Sequence, residues 1–174
     1  MAKKLDRTMK YLFTLILITT LSCVKGQTSN IPYLAQQELK KFTGKWQYTS
    51  NDTIFTINLI LEKKYNKGSG NGFYIDVIVG DYILKKGEQI LQSSSAIKPI
   101  RAGGFVDKKL NNNKIDFLIT DLGKKSKRGT VTFEIQSGQE NIAKWQLSNN
   151  EGIHIGTYDY SFSLPLQAMF KKVN

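Results

Sequence analysis

From Lys45 onward the apolar residues of this chain recur at every second position, a rhythm that belongs to strands with one buried face. In 53–62 the apolar face is Phe55, Ile57, Leu59 and Leu61, and in 73–79 it is Phe73, Ile75, Val77 and Val79. Ile115, Phe117 and Ile119 repeat the pattern, and Val131, Phe133 and Ile135 alternate with Thr130, Thr132, Glu134 and Gln136. Ala143, Trp145 and Leu147 follow, then Tyr158, Tyr160 and Phe162 against Asp159, Ser161 and Ser163. Shorter candidates lie at 46–50, 81–85, 89–92 and 168–173. Turn residues separate them: Asn51-Asp52, the glycine-rich 68–72, Lys86-Gly87, Asn111-Asn112-Asn113, Ser137-Gly138 and 149–152. Eight to ten strands joined mostly by tight turns, without crossover helices, predict an all-β antiparallel meander. It closes into a small barrel or flattens into a sandwich.

An eight-stranded barrel is either filled by its own side chains or holds one small ligand. The alternation sends Phe55, Phe117, Phe133, Trp145 and Tyr160 inward, enough bulk to fill it. Ahead of the strands, Pro32 suits the first position of a short helix capped by Ser29 or Asn30. Leu34, Glu38, Leu39 and Phe42 line one side of that helix, and Gly44 ends it. The irregular stretch 93–109, with Pro99, Gly103 and Gly104, reads as a wide loop or as a lid over one barrel mouth.

The N-terminus is expected to be a targeting segment, not part of the fold. Lys3, Lys4, Arg7 and Lys10 precede an uncharged apolar run at 11–21, too short to span a bilayer core; Met9 serves equally well as a start. Residues 1–22 then form a signal peptide, 23–30 a tether and 31–174 a single domain. Two cleavage readings stand. Leu21-Ser22-Cys23 reads as a lipobox with Thr20 in the usual aliphatic place, so that lipidated Cys23 becomes the first mature residue. Alternatively, cleavage after Val24-Lys25-Gly26 frees Gln27. Cys23 is the only cysteine and stands at the end of the apolar run, which favours the lipoprotein. The expected location is the cell envelope, as an outer-membrane lipoprotein facing the periplasm.

Removing residues 1–22 takes four basic and one acidic residue from a chain of net charge +11, leaving +8. A basic envelope protein attracts anionic lipid head groups and acidic glycans. Lysine pairs recur at 40–41, 63–64, 85–86, 108–109, 124–125 and 171–172, the first four at a spacing of 22 or 23 residues. In a meander, one strand-turn-strand-turn unit of about twenty residues returns the chain to the same barrel end. Lys63, Lys64, Lys85, Lys86, Lys108 and Lys109 are therefore candidates for a basic rim. The run 124–128 reads as a solvated hairpin tip; it lacks interleaved aromatics, and in an exported protein no nucleic-acid partner is expected.

The chemical inventory is thin. One histidine, His154, and one cysteine leave no thiol–imidazole pair and no Cys/His metal site, so neither a metal nor a cofactor is expected. No Gly-x-Ser-x-Gly elbow is present, and 68–72 lacks the Lys-Ser/Thr of a phosphate loop. Asp76, Asp81, Asp116, Asp121, Glu134 and Asp159 fall mostly at outward positions as solvated charges. The expectation is a non-enzymatic binding or interaction module, with a carrier of a small apolar ligand as the alternative and a secreted hydrolase behind both.

Two resemblances bear on this. Gly44-x-Trp46 after a short helix resembles the start of lipocalin-type (calycin) barrels, where the Trp closes one end and a later basic side chain packs on it. That basic residue has no clear counterpart here: Arg101 and Arg128 fall too early, and the last strand offers only Lys171 and Lys172. A wider set of residues is similar to uncharacterised exported proteins and lipoproteins of Bacteroidota, a family catalogued as a domain of unknown function. These are Phe42-x-Gly-x-Trp46, Asn51-Asp52-Thr53-x-Phe55-Thr56-Ile57, Asp76-x-x-x-Gly80-x-Tyr82, Leu164-Pro165 and Lys171-Lys172. That resemblance implies export and a small β domain, and no activity.

Overall fold

A computed structural model describes residues 31–68, 72–102, 113–149 and 159–173. The segments expected to be a signal peptide (1–22) and a tether (23–30, with Cys23) lie outside them, as do Lys108, Lys109 and His154. Ten strands form: β1 (Tyr33–Leu34), β2 (Gly44–Ser50), β3 (Thr53–Asn66), β4 (Phe73–Lys86), β5 (Gln89–Ser93), β6 (Ile100–Ala102), β7 (Lys114–Asp121), β8 (Lys127–Gln136), β9 (Gln139–Asn149) and β10 (Gln167–Val173). Eight of them, β2-β3-β4-β6-β7-β8-β9-β10, pair antiparallel in chain order. β10 meets β2, so the sheet closes into an up-and-down barrel.

One edge of β4 serves three partners in turn. β5 pairs with its end at Ile83–Lys86, β6 with Ile78–Gly80, and the two residues of β1 run parallel to Tyr74 and Ile75. The stretch expected to be a loop at 93–109 thus contains β6, the strand that completes the barrel. Its Ile100 is fully buried. Three residues carry too little alternation to announce themselves as a strand.

Period-two patterning places the buried faces correctly in β3, β7, β8 and β9. In β4 the face is the opposite one. Register sets Phe55, Ile57, Leu59 and Leu61 across from Leu84, Tyr82, Gly80 and Ile78, so the even-numbered residues point inward and Phe73, Ile75, Val77 and Val79 outward. Both faces of β4 are largely apolar, and only pairing with β3 decides between them. The strand candidates at 73–79 and 81–85 are one strand, because β4 runs through Gly80. A Cβ there would lie 2.4 Å from the Asn58 carbonyl oxygen, so glycine lets β3 and β4 approach closely.

Two further expectations change. The N-terminal helix is a single 3-10 segment, Gln37–Phe42, which buries Leu39 and Phe42 while Leu34 stays exposed in β1. The strand expected around Tyr160 does not form over 159–163. Asp159 instead accepts hydrogen bonds from the Ser161 amide (2.9 Å) and hydroxyl (2.6 Å), a local turn that competes with strand pairing. Tyr160 accordingly points outward and is 57% exposed.

Candidate functional site

The barrel interior is solid. Trp46, Phe55, Tyr82, Phe117, Phe133, Trp145 and Phe170 are all at most 2% exposed. Their rings form one network: Trp46 meets Phe133 edge-on at 5.2 Å, Phe133 meets Phe117 at 6.0 Å, and Phe117 meets Trp145 at 5.8 Å. Trp145 then meets Phe55 at 5.4 Å, and Phe55 meets Tyr82 at 5.7 Å. These separations and mostly edge-to-face angles are the favoured aromatic geometry, in which each ring occupies space a ligand would need.

Both ends of this stack are plugged. At one end the 3-10 segment lies beside Trp46, whose indole N–H donates to the Phe42 carbonyl at 2.9 Å. Lys172 supplies the basic side chain that the lipocalin resemblance requires. Its ammonium stands 5.1 Å from the Trp46 ring centroid and donates to the Lys41 carbonyl at 3.2 Å. Sequence reading left this role open because a lone lysine pair at a strand end looks like solubilising charge. Gly44 leaves room for it: its φ is +114°, and a Cβ would fall 2.9 Å from Lys172 Cε. Gly44→Ala should therefore cost about 1–3 kcal/mol in denaturant unfolding and red-shift the Trp fluorescence as Lys172 is displaced.

The other end is closed by polar groups. The Tyr82 hydroxyl lies 3.0 Å from Gln92 Oε1 and 3.1 Å from the Thr120 carbonyl, and accepts from the Leu122 amide at 2.9 Å. The Gln92 amide donates to Ser163 Oγ at 2.6 Å, and Ser163 Oγ donates to Asp121 Oδ1 at 2.5 Å. Asp121, read from the sequence as an outward charge, is fully buried and also accepts from the amides of Gly123, Ser163 and Leu164. Lys127, read as part of a solvated tip, is 5% exposed; it donates to the Asp159 carbonyl and stands 4.9 Å from the Phe162 ring centroid. Nothing in the local sequence distinguishes these two from surface charges.

Burial pushes the Tyr82 hydroxyl up to about 12 from its ordinary value of 10.0. The unfolded chain releases that proton near pH 10, whereas the folded one keeps it. The contribution is intact below pH 10 and is lost as the pH rises through about 12. Wild-type stability should fall more steeply between those values than that of Tyr82→Phe, a difference that paired denaturant titrations will measure.

The described basic-rim residues, Lys63, Lys64, Lys85 and Lys86, do not share a rim. Lys63 and Lys64 stand opposite Asp76 and Ile75, whereas Lys85 and Lys86 stand opposite Ile54 and Thr53, at the other end of the β3–β4 hairpin. β3 and β4 are 14 residues each, so a spacing of 22 measures one strand plus one turn and lands on the opposite end. Lys63 is held between the rings of Tyr33 (4.4 Å) and Tyr74 (4.6 Å). Tyr33 in turn donates to Asp76 at 2.6 Å. Lys64 pairs with Glu62 at 2.5 Å.

Another basic cluster does form, on the outside of the barrel where β6 closes it. Two adjoining hollows of about 340 and 550 Å³ share Lys98, Arg101 and Leu118. The first also draws on Ile97, Pro99, Leu122 and Arg128; the second draws on Glu62, Lys64, Val77 and Val79. Glu62 is bonded by both Lys64 and Lys98, which hold its carboxyl down at about 2. The candidate residues here were invisible in sequence, since they come from β3, β4, β6, β7, β8 and the loop before β6. Among the described residues no group of three or more His, Cys, Asp or Glu side chains stands together as a metal site, and no helix is long and apolar enough to cross a membrane.

No curated protein and no solved structure matches this chain. A protein-family model described as a family of unknown function (DUF6705) does, over residues 9–102. The match covers more than half the sequence, takes in Gly44, Trp46, Gly80 and Tyr82, and ends with β6. The chain belongs to the DUF6705 family of unknown function.

Proposed function

We propose that this protein is an exported, non-enzymatic envelope module, a solid β-barrel tethered through lipidated Cys23 at the outer membrane on its periplasmic side, which binds through its outer surface. The aromatic stack with a plug at each end carries this reading. A barrel already filled with tryptophan, phenylalanine and tyrosine side chains offers its exterior for recognition, not a lumen for cargo. The apolar run at 11–21 followed at once by the chain's single cysteine supports the anchor.

Two measurements on the full-length protein purified from its own membranes test the reading. Intact mass is expected to give a mature chain beginning at lipidated Cys23; a chain beginning at Gln27 removes the anchor from the proposal. A fluorescent fatty-acid probe is expected to find no apolar site in the barrel. Saturable binding that quenches Trp46 and Trp145, or lipid released on denaturation, would restore the carrier in its place.

A further inference from the structure

The geometry points to the outer cleft beside β6 as a binding site for a small amphiphilic oxyanion, a phosphate or carboxylate group carried on an apolar body; this names a ligand class for the surface-binding module and rests on that reading. Arg101 lies at the centre. It is opposite Val79 on one side and Leu118 on the other; Arg101 and Leu118 are exposed, and Val79 is buried beside them. Arg128, one strand further on, is opposite Thr120 and is likewise outward, between buried Lys127 and Gly129. Lys98 comes from the loop before β6, where the Ile97 amide donates to the Ser94 carbonyl at 3.0 Å and Glu62 bonds the Lys98 ammonium.

Four cations and one carboxylate therefore line the cleft: Lys64, Lys98, Arg101 and Arg128 against Glu62. The carboxylate is spent on the two lysines, which it positions. The two guanidinium groups are the natural oxyanion receptors, because each offers paired N–H donors that match two oxygens of a phosphate or carboxylate. The Arg101 guanidinium has no hydrogen bond or ion pair among the described residues, so no side-chain bond must break when it engages a ligand. The floor is different in kind. Val77 and Leu118 present apolar surface there, with Val79 buried between the strands beneath, and Leu118 is 49% exposed although the positions before and after it are buried. Cation forks over an apolar floor fit an anion with a hydrocarbon or similar tail better than a bare inorganic ion. The volumes fall in the range of small-ligand sites, roughly 300–1,000 Å³.

The test is titration of the full chain with n-octyl phosphate below its micellar concentration, with inorganic phosphate and phosphatidylglycerol vesicles as parallel arms. Octyl phosphate is expected to bind with little change in Trp emission, since neither Trp46 nor Trp145 lines the cleft. Arg101→Ala and Arg128→Ala should each weaken it about tenfold or more, and rising salt should weaken it further. Leu118→Asp, a change on an outward-facing side chain that leaves the core intact, should abolish it. Vesicle binding lost in the same variants assigns the site to a lipid head group; vesicle binding that is absent while octyl phosphate binds assigns it to a soluble anion. Inorganic phosphate binding as tightly as octyl phosphate would overturn the role of the apolar floor. Octyl phosphate binding unchanged by all three substitutions would overturn the cleft. If Trp emission stays constant in that case the solid-barrel reading stands, and if it shifts both fall together.

Discussion

Phe170→Ala is expected to destabilise the barrel by about 3–5 kcal/mol, a loss that denaturant unfolding will register as a large drop in midpoint. Phe170 is fully buried, and its ring faces Trp145 at 5.4 Å, Phe55 at 5.6 Å, and Phe133 and Tyr48 at 6.1 Å each. Truncation leaves a void bounded by four aromatic rings on four other strands and strand neighbours that cannot all move inward. The cost then includes both the lost transfer energy and the cavity. Phe170→Leu should recover much of it, because a branched aliphatic fills most of the gap. A Phe170→Ala variant as stable as wild type would show that the interior has slack, which would reopen the question of a hollow lumen.

Asp121→Ala is the second large effect, expected at about 3 kcal/mol, with a consequence confined to one region. The carboxylate accepts from the amides of Gly123, Ser163 and Leu164 and from the Ser163 hydroxyl. The bonds from Ser163 and Leu164 fasten the irregular segment before β10 to the end of β7. Removing the acceptor leaves several donors buried without partners, each costing the desolvation it no longer recovers. Limited proteolysis should then cut within 159–166 while the β2–β3–β4 meander stays protected. Asp121→Asn keeps one acceptor oxygen and should lose less than Asp121→Ala. Equal stability of all three forms would mean that the segment is held by Lys127 and its aromatic neighbours instead.

How far the fold was legible depends on how much each strand says by itself. Val131, Phe133 and Ile135 alternate with polar residues, and Ala143, Trp145 and Leu147 do likewise, so strand, buried face and barrel all follow from the letters. β4 reads FYIDVIVGDYIL, apolar on both faces, and its orientation comes from its partner β3 and not from its own pattern. β6 is too short to show a period. The segment at 158–163 shows one, but the side chain of Asp159 diverts the backbone. The candidate site was the least readable part. Arg101 and Arg128 are neighbours only because β6, β7 and β8 lie side by side, and a buried Asp121 or Lys127 is spelled like a surface one. The regular spacing of the lysine pairs misled for a physical reason: it presumed strands of ordinary length, whereas β3 and β4 are long enough to carry successive pairs to opposite ends.

The place of β10 has a consequence for how the molecule comes into being. This strand is inserted between β2 and β9, so its left-hand neighbour was made more than a hundred residues earlier. Until it emerges, the nascent polypeptide is an open ribbon with two bare margins, lacking Phe170 at its centre and Lys172 over Trp46. High contact order of this kind makes assembly slow, because closure waits for β10 to pair on both sides. The ribbon stays pliable for as long as that strand is missing, and it locks shut only once β10 has taken its place.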